Sequence, residues 1–88
     1  MSERSVLLGG ARTPFGRLGG SLAPLTAVEL GKIALRANLD RAGVDDADIE
    51  NVVFGQVLQG GAGQNPARQV ALGIGLDRTV NAETINRV

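Results

Sequence analysis

The 88-residue chain contains no cysteine, histidine, tryptophan or tyrosine. Without cysteine and histidine there can be no disulfide, no cysteine nucleophile and none of the usual zinc ligands, and the commonest general base is missing as well. Phe15 and Phe54 are the only aromatic residues, which argues against a surface that stacks nucleobases. We therefore expect neither a metal site nor a nucleic-acid partner in these residues.

An excess of charge is also lacking, because 9 Lys and Arg residues balance 9 Asp and Glu residues. A chain without net charge has no long-range field that draws it to an acidic substrate or an anionic membrane. No apolar run approaches the roughly 18 residues of a membrane span, and residues 1–4 do not open a signal peptide. These patterns predict a soluble, cytoplasmic protein with no membrane partner.

Glycine is abundant, with 13 residues that are grouped mainly at 9–10, 16–20 and 60–63. The glycine groups separate stretches that are too apolar to be disordered. The first stretch, Ser5–Ala11, is apolar on successive residues, which predicts a strand covered on both faces. The loop at 12–24 is long for a connection, and such loops are typically functional or interface elements.

The strongest local pattern predicts a helix over Thr26–Ala42. Thr26 and Glu29 have the spacing of a capping box, and Gly43 can adopt the left-handed conformation that closes a helix. The helix has a narrow polar face, which includes an Arg36/Asp40 pair four residues apart. Its wide apolar surface predicts packing on a sheet with neighbours on either side.

An acidic turn follows at 44–50, and its three aspartates lack the ligand spacing of a calcium loop, so we interpret it as a solvated turn. Asn51–Leu58 is predicted to be a second strand, again buried on both faces. The glycine-rich loop at 59–64 lacks the Lys-Ser/Thr pair and the glycine spacing of nucleotide-binding loops, which favours a tight turn.

A second helix is predicted to begin at Asn65-Pro66, with a capping side chain and a proline at its first position, and to end at Gly73 or Gly75. A final strand then runs from Val80 to Val88.

The predicted order of elements is strand, helix, strand, helix, strand. Right-handed crossovers give a parallel sheet of order 3-2-1 with both helices on one face. The first strand then has one unpaired edge, and one face of the sheet has no cover, which are severe liabilities for a soluble protein. We therefore expect residues 1–88 to be the first part of a larger domain, and the isolated chain not to fold as a monomer.

Four stretches resemble the N-terminal segment of the thiolase family. The match covers Ser5 to Val88 with the stretches in the family's order, and Gly63–Gln69 is the most specific of them. The stretches are Ala11–Gly16 (ARTPFG), Gly55–Leu58 (GQVL), Gly63–Gln69 (GQNPARQ) and Thr84–Val88 (TINRV).

The resemblance implies an α/β, thiolase-like fold in which this chain is the N-terminal βαβαβ part of a mixed five-stranded sheet of order 3-2-1-4-5. It implies an acyltransferase that converts two acetyl-CoA into acetoacetyl-CoA and CoA, reversibly, through an acyl-cysteine intermediate. Two alternatives stay open: a 3-ketoacyl-CoA thiolase of fatty-acid degradation, and a non-catalytic thiolase-like lipid-transfer protein. No cofactor is implied, since the coenzyme A thioester is the substrate.

The resemblance also places the nucleophilic cysteine directly after Val88, so that Asn86, Arg87 and Val88 flank it. A helix N-terminus at that point would lower the thiol pKa. The family's other catalytic groups correspond to no residue of this chain, which we therefore expect to be inactive alone.

In the family the final strand pairs antiparallel with its copy across the two-fold axis of a dimer. The resemblance thus implies a homo-oligomer, either a dimer or a tetramer, and an Ile85→Pro substitution is expected to break both the dimer and the activity. The predicted interface residues are Gln64, Asn65, Arg68, Thr84, Ile85 and Asn86.

Overall fold

A computed structural model describes residues 4–58 and 60–86 of the chain. The elements are helix α1 (Ala27–Ala42), a 3-10 turn (Asp46–Asp48), strand β1 (Asn51–Gly55), helix α2 (Pro66–Gly73) and strand β2 (Asn81–Ile85). The two strands are parallel neighbours. The architecture is therefore α/β, as predicted.

The predicted ends of α1 are confirmed by its caps. Thr26 is the N-cap, and its hydroxyl oxygen accepts a hydrogen bond from the Glu29 amide at 3.1 Å. At the other end, Gly43 has φ 68° and donates its amide to the Asp40 carbonyl. A side chain with a β-carbon rarely adopts that left-handed conformation, which explains the glycine at this position.

The acidic turn is held to α1 by an ion pair. Arg36 contacts Asp40 at 3.0 Å, as the spacing of the two residues predicts, and Asp46 at 2.8 Å. A second nitrogen of Arg36 donates to Asp46 at 2.9 Å, so the contact is bidentate. The guanidinium lowers the pKa of the Asp46 carboxyl, chiefly through these hydrogen bonds. In this turn Asp45 therefore serves as a cap and Asp46 as an ion-pair partner. Within the described ranges no acidic cluster could hold a metal ion.

Helix α2 begins and ends where the sequence indicates. Asn65 is the N-cap and Pro66 occupies the first helical position. Gly73 is the last helical residue, and Gly75 follows with φ 91°. The amide of Leu76 then donates to the Ala71 carbonyl at 3.0 Å, which closes the helix in the manner of a left-handed C-terminal cap.

Both helices lie on one face of the sheet, as predicted. The register pairs Val52 with Ala82 and Phe54 with Thr84, and these residues face the helices. Phe54 reaches α1 at Gly31. The buried core lies between the layers and consists of Leu39, Val52, Ala67, Ala71, Leu76 and Val80.

The other face of β1 is exposed, as expected for a sheet whose helices cover one face, and burial of β1 on both faces stays a prediction for the larger domain. Val53 is 57 % exposed and Val52 only 6 %. The strand also ends at Gly55, so Val57 and Leu58 lie beyond it and are exposed. Successive apolar residues indicate burial on both faces only where a second layer is present, and here the helices cover one face.

The predicted first strand is not formed either. Residues 5–11 have no regular structure, and Leu7 is fully exposed. The segment passes over α1, where Gly9 lies against Asn38 and Ala42. A strand needs backbone partners, and between residues 4 and 86 the sheet contains only β1 and β2. The five-stranded order is thus not seen, and Arg87 and Val88, at the predicted end of the last strand, lie outside the described residues.

Candidate functional site

The polar contacts that the sequence singles out meet at one edge of the sheet. Because β1 and β2 are parallel, their carboxyl ends lie at the same edge, and α2 begins there. In α/β proteins this edge is the usual place for ligands and catalytic groups. We call it the carboxyl edge and define it as residues 60–69 together with 84–86.

Asn65 links the start of α2 to β2. It has φ 40° and ψ 79°, the only positive φ among the described residues other than glycine. Its Oδ1 accepts hydrogen bonds from the Arg68 amide at 3.3 Å and from the Thr84 hydroxyl at 2.8 Å. Its Nδ2 donates to the Ala82 carbonyl at 3.2 Å. One side chain therefore caps the helix and holds the strand.

Thr84 completes this connection from the strand side. Its hydroxyl oxygen accepts a hydrogen bond from the Ala67 amide at 3.0 Å. Pro66 has no amide hydrogen, and the amides of Arg68 and Gln69 donate to the Asn65 carbonyl at 2.9 and 3.1 Å. The first turn of α2, which the structure describes in full, thus leaves no free amide for an anion, in agreement with the absence of a nucleotide-binding motif.

The glycine-rich loop is a tight turn, as the sequence predicts. Gly61 and Gly63 have φ values of 79° and 82°. The side-chain nitrogen of Gln69 donates to the carbonyls of Ala62 at 2.8 Å and Gln64 at 2.9 Å. Sequence reasoning missed this role of Gln69. The available signal was a glutamine in the first turn of a helix that directly follows a glycine-rich loop.

Of the predicted interface residues, the structure brings Asn65 and Thr84 into direct contact. Gln64 and Asn86 are exposed at the carboxyl edge. Arg68 donates to the Arg78 carbonyl at 3.3 Å and so points along α2 towards the opposite end of the helix. The predicted nucleophile-flanking residues Arg87 and Val88 lie outside the described residues.

Ile85 does not present its backbone to the outer edge of β2. Its carbonyl accepts from the Gln56 amide at 2.8 Å, so its polar backbone groups face β1. In a strand the amide and carbonyl groups of successive residues point alternately to its two sides, so the groups that face away from β1 belong to Ala82 and Thr84. An Ile85→Pro substitution would therefore disturb the pairing with β1 directly and would act on any contact across the outer edge only through that pairing.

The carboxyl edge contains no Asp, Glu, His, Cys, Lys or Tyr side chain. The two carboxyls with a lowered pKa are elsewhere, Asp46 beside Arg36 and Asp77 beside Thr79, whose amide and hydroxyl bind the Asp77 carboxylate. This edge therefore carries hydrogen-bonded polar side chains and supplies no acid or base.

Comparison with known proteins agrees with this description. Residues 5–88 match the family model "Thiolase, N-terminal domain". The chain is 53% identical over 78 residues to a cytosolic acetyl-CoA acetyltransferase of Gibberella zeae, with 89% of this chain and 20% of that protein covered. It is 51% identical over 83 residues to an acetyl-CoA acetyltransferase of Cupriavidus necator, covering 94% of this chain and 21% of the relative.

Two solved structures share the fold. A thiolase of Ascaris suum in complex with coenzyme A superposes with a TM-score of 0.89 at 33% identity, covering 92% of this chain and 21% of that one. An acetyl-CoA acetyltransferase of Syntrophomonas wolfei gives 0.85 at 36% identity, with coverages of 92% and 20%. The chain thus spans about a fifth of the length of these proteins. In the parts of the chain described by the structure, no helix is long and apolar enough to cross a membrane.

Proposed function

This chain belongs to the thiolase family, and we propose that it forms the N-terminal part of an enzyme that transfers acetyl groups between coenzyme A thioesters. The observation that carries this proposal is the match of residues 5–88 to the family. Relatives from fungi and bacteria that are about half identical to the chain are named acetyl-CoA acetyltransferases. The Ascaris suum thiolase, whose structure is similar to this chain, is in complex with coenzyme A, which supports an acyl-CoA as the substrate.

The proposed reaction runs through a cysteine that directly follows Val88. Its thiolate attacks the carbonyl of one acetyl-CoA, and the CoA thiolate leaves and takes up a proton. A base removes a proton from the α-carbon of a second acetyl-CoA, and the resulting carbanion attacks the acyl-cysteine carbonyl. Acetoacetyl-CoA forms, and the cysteine thiolate is regenerated. No cofactor takes part.

Within this chain, the proposed role of the carboxyl edge is to hold the departing strand. Asn86 follows β2 at that edge, so the chain leaves the sheet beside the start of α2. Asn65 and Thr84 tie β2 to α2. Such ties would keep Asn86, and with it the point where the chain leaves the sheet, in a constant position. Because the chain itself holds no cysteine or histidine, we propose that it is inactive alone.

The proposal includes the rest of the sheet and a second subunit. Val53 and Leu7 are exposed apolar side chains, which supports further strands beyond β1, in the order 3-2-1-4-5, and a second layer of helices. In the described sheet β2 is an edge strand, and the outward amides of Ala82 and Thr84 support antiparallel pairing with a copy in a dimer or tetramer. The interface would include Gln64, Asn65, Arg68, Thr84, Ile85 and Asn86.

The decisive experiment takes the complete protein into which residues 1–88 continue. We expect cysteine as the residue after Val88 and CoA-dependent cleavage of acetoacetyl-CoA, measured as the loss of the substrate's enolate absorbance. The matched control carries serine at the position after Val88 and should lose that activity. Faster cleavage of longer 3-ketoacyl-CoA substrates would favour the degradative alternative. Another residue at that position, with no cleavage of any 3-ketoacyl-CoA, would overturn the proposal.

We also propose a cytoplasmic location for the enzyme. The support is a Gibberella zeae relative whose name describes it as cytosolic. Fractionation of cells that express the complete protein, followed by the same cleavage assay, tests this location. Activity that sediments with membranes would contradict it.

A further inference from the structure

Gln69 binds two carbonyls of the glycine-rich loop with one nitrogen. The distances from Nε2 to the Ala62 and Gln64 carbonyl oxygens are 2.8 and 2.9 Å. Only an NH₂ group can lie between two carbonyl oxygens, so the orientation of the carboxamide follows from the chemistry. Both hydrogens of this NH₂ group are then hydrogen-bonded, one to the residue before Gly63 and one to the residue after it.

The loop in turn is shaped around this side chain. Gly63 has φ 82°, and a β-carbon built at this position would lie 2.9 Å from Nε2 of Gln69. That distance is too short for a carbon and a nitrogen that do not share a bond. The left-handed backbone conformation favours glycine at 63, and a β-carbon there would displace the Gln69 carboxamide from its place.

The contact between Gln69 and the loop is connected to β2 through Gln64 and Asn65. Gln64 precedes Asn65, whose side chain binds the Ala82 carbonyl and the Thr84 hydroxyl. Ordering Gln64 therefore orders the backbone of the helix cap, and the cap holds the carboxyl end of the strand. A single side chain on α2 thus stabilises the loop and, through Asn65, the strand that leads to Asn86.

We propose that Gln69 is a positioning residue for the acyl transfer, which holds the loop at 60–64 and the end of β2 in the geometry that the reaction needs. This inference rests on the proposed function. The residue touches no substrate group in this role, since it acts through Gln64 and Asn65.

The test uses the complete protein and three substitutions. Gln69→Glu keeps the shape but places a carboxylate oxygen against two carbonyls. Gln69→Lys keeps a donor for both carbonyls. Gly63→Ala displaces the carboxamide from the other side. The matched control is Gln56→Glu, because the Gln56 side chain makes a single exposed hydrogen bond, to the Leu58 carbonyl at 3.0 Å.

For Gln69→Glu we expect kcat, per folded protein, to fall roughly tenfold with KM within about twofold, since two hydrogen bonds are lost. Cleavage by proteinase K between residues 59 and 65, followed by mass spectrometry, should accelerate about tenfold. Gln69→Lys should recover much of the wild-type kcat and of the wild-type resistance to proteolysis.

For the control Gln56→Glu, kcat and the rate of proteolysis should stay within about twofold of the wild type. In the double variant, the fold-decrease in kcat should be smaller than the product of the fold-decreases caused by Gly63→Ala and by Gln69→Glu alone, because both substitutions act on one contact.

An unchanged rate of proteolysis in Gln69→Glu would overturn the proposal. A faster rate with an unchanged kcat per folded protein would also overturn it, because Gln69 would then stabilise the loop without serving the reaction. If the wild type itself has no thiolase activity, the proposed function fails and the positioning role fails with it. Proteolysis still shows in that case whether Gln69 holds the loop, so the two failures are distinguishable.

Discussion

The hydroxyl group of Thr84 on β2 lies 2.8 Å from Oδ1 of Asn65, the residue that caps α2. The same hydroxyl oxygen accepts a hydrogen bond from the Ala67 amide at 3.0 Å. The start of the helix is therefore capped partly by a strand that follows it in the chain. This arrangement couples the stability of the helix terminus to the position of the strand.

We expect Thr84→Val to destabilise the complete protein by about 1–3 kcal/mol, because it leaves the Ala67 amide without its acceptor and removes one of the two donors to Oδ1 of Asn65. The measurement is the midpoint of urea unfolding. Thr84→Ser should restore most of the loss. Thr79→Val is the control, because the Thr79 hydroxyl makes an exposed bond to Asp77. Equal effects at 79 and 84 would contradict the structural role of Thr84.

Gly31 permits the close approach of α1 to β1 and α2. A β-carbon at this position would lie 2.6 Å from Cε2 of Phe54 and 3.1 Å from Cγ2 of Val70. We therefore expect Gly31→Ala to destabilise the protein by about 1–3 kcal/mol, although alanine favours a helix over glycine by about 1 kcal/mol. Thermal unfolding should show a lower midpoint.

The control for this prediction is Gly73→Ala, also in a helix. A β-carbon at Gly73 would meet the far end of the flexible Lys32 side chain, which can move aside. We expect Gly73→Ala to be nearly neutral. Adding Phe54→Leu to Gly31→Ala should recover part of the lost stability, and a Gly31→Ala protein as stable as the wild type would disprove the close packing.

The ion pair between Arg36 and Asp46 predicts that the free energy of unfolding depends on pH in the acidic range. The hydrogen bonds from Arg36 lower the pKa of Asp46 below its ordinary value in the folded protein. A group with a depressed folded pKa contributes stability that is present above its unfolded pKa, near 3.8, and is lost as the pH falls through the folded pKa.

We therefore expect Asp46→Asn to be less stable than the wild type at pH 7 and to show a smaller loss of stability on acidification from pH 5 to about pH 2. The measurement is the urea midpoint across this range. Asp48→Asn, in the same 3-10 turn, is the control and should follow the wild-type curve. Parallel curves for Asp46→Asn and the wild type would refute the assignment.

The isolated chain is expected not to fold as a monomer. Its exposed apolar side chains include Leu7 at 100% and Leu58 at 83%, and β1 has one uncovered face. A dilute sample should show no cooperative thermal transition and no protected amides in residues 51–55 or 81–85. Slow amide exchange in both strands of a dilute monomer would overturn this prediction.

The outward amide of Ala82 offers a direct test of the proposed dimer. Ala82→Pro removes an outward-facing donor of β2, whereas the inward groups at 81, 83 and 85 keep the pairing with β1. We expect the dissociation constant of the dimer to rise roughly tenfold, as measured by light scattering over a dilution series. An unchanged dissociation constant in a folded variant would place the interface elsewhere.

Local structure was predictable wherever the signal lies within a few residues of the chain. Thr26, Gly43 and Asn65 are caps because of their own side-chain chemistry or lack of a β-carbon, and each is found at a helix end. The parallel pairing of β1 with β2 followed from the crossover rule. The contact of Arg36 with Asp46 and that of Gln69 with the loop depend on how the chain turns, and spacing alone could not indicate them.

By itself, the sequence determined the helices, the order of β1 and β2, the family, and the absence of any cysteine or histidine from this chain. The tertiary structure alone decided that Thr84 caps α2, that Ile85 faces β1 and that residues 5–11 form no strand. The physical reason is the range of the interactions. Caps and turns are satisfied by near neighbours, whereas a strand or a shared hydroxyl requires a partner that the fold brings from a distant part of the chain.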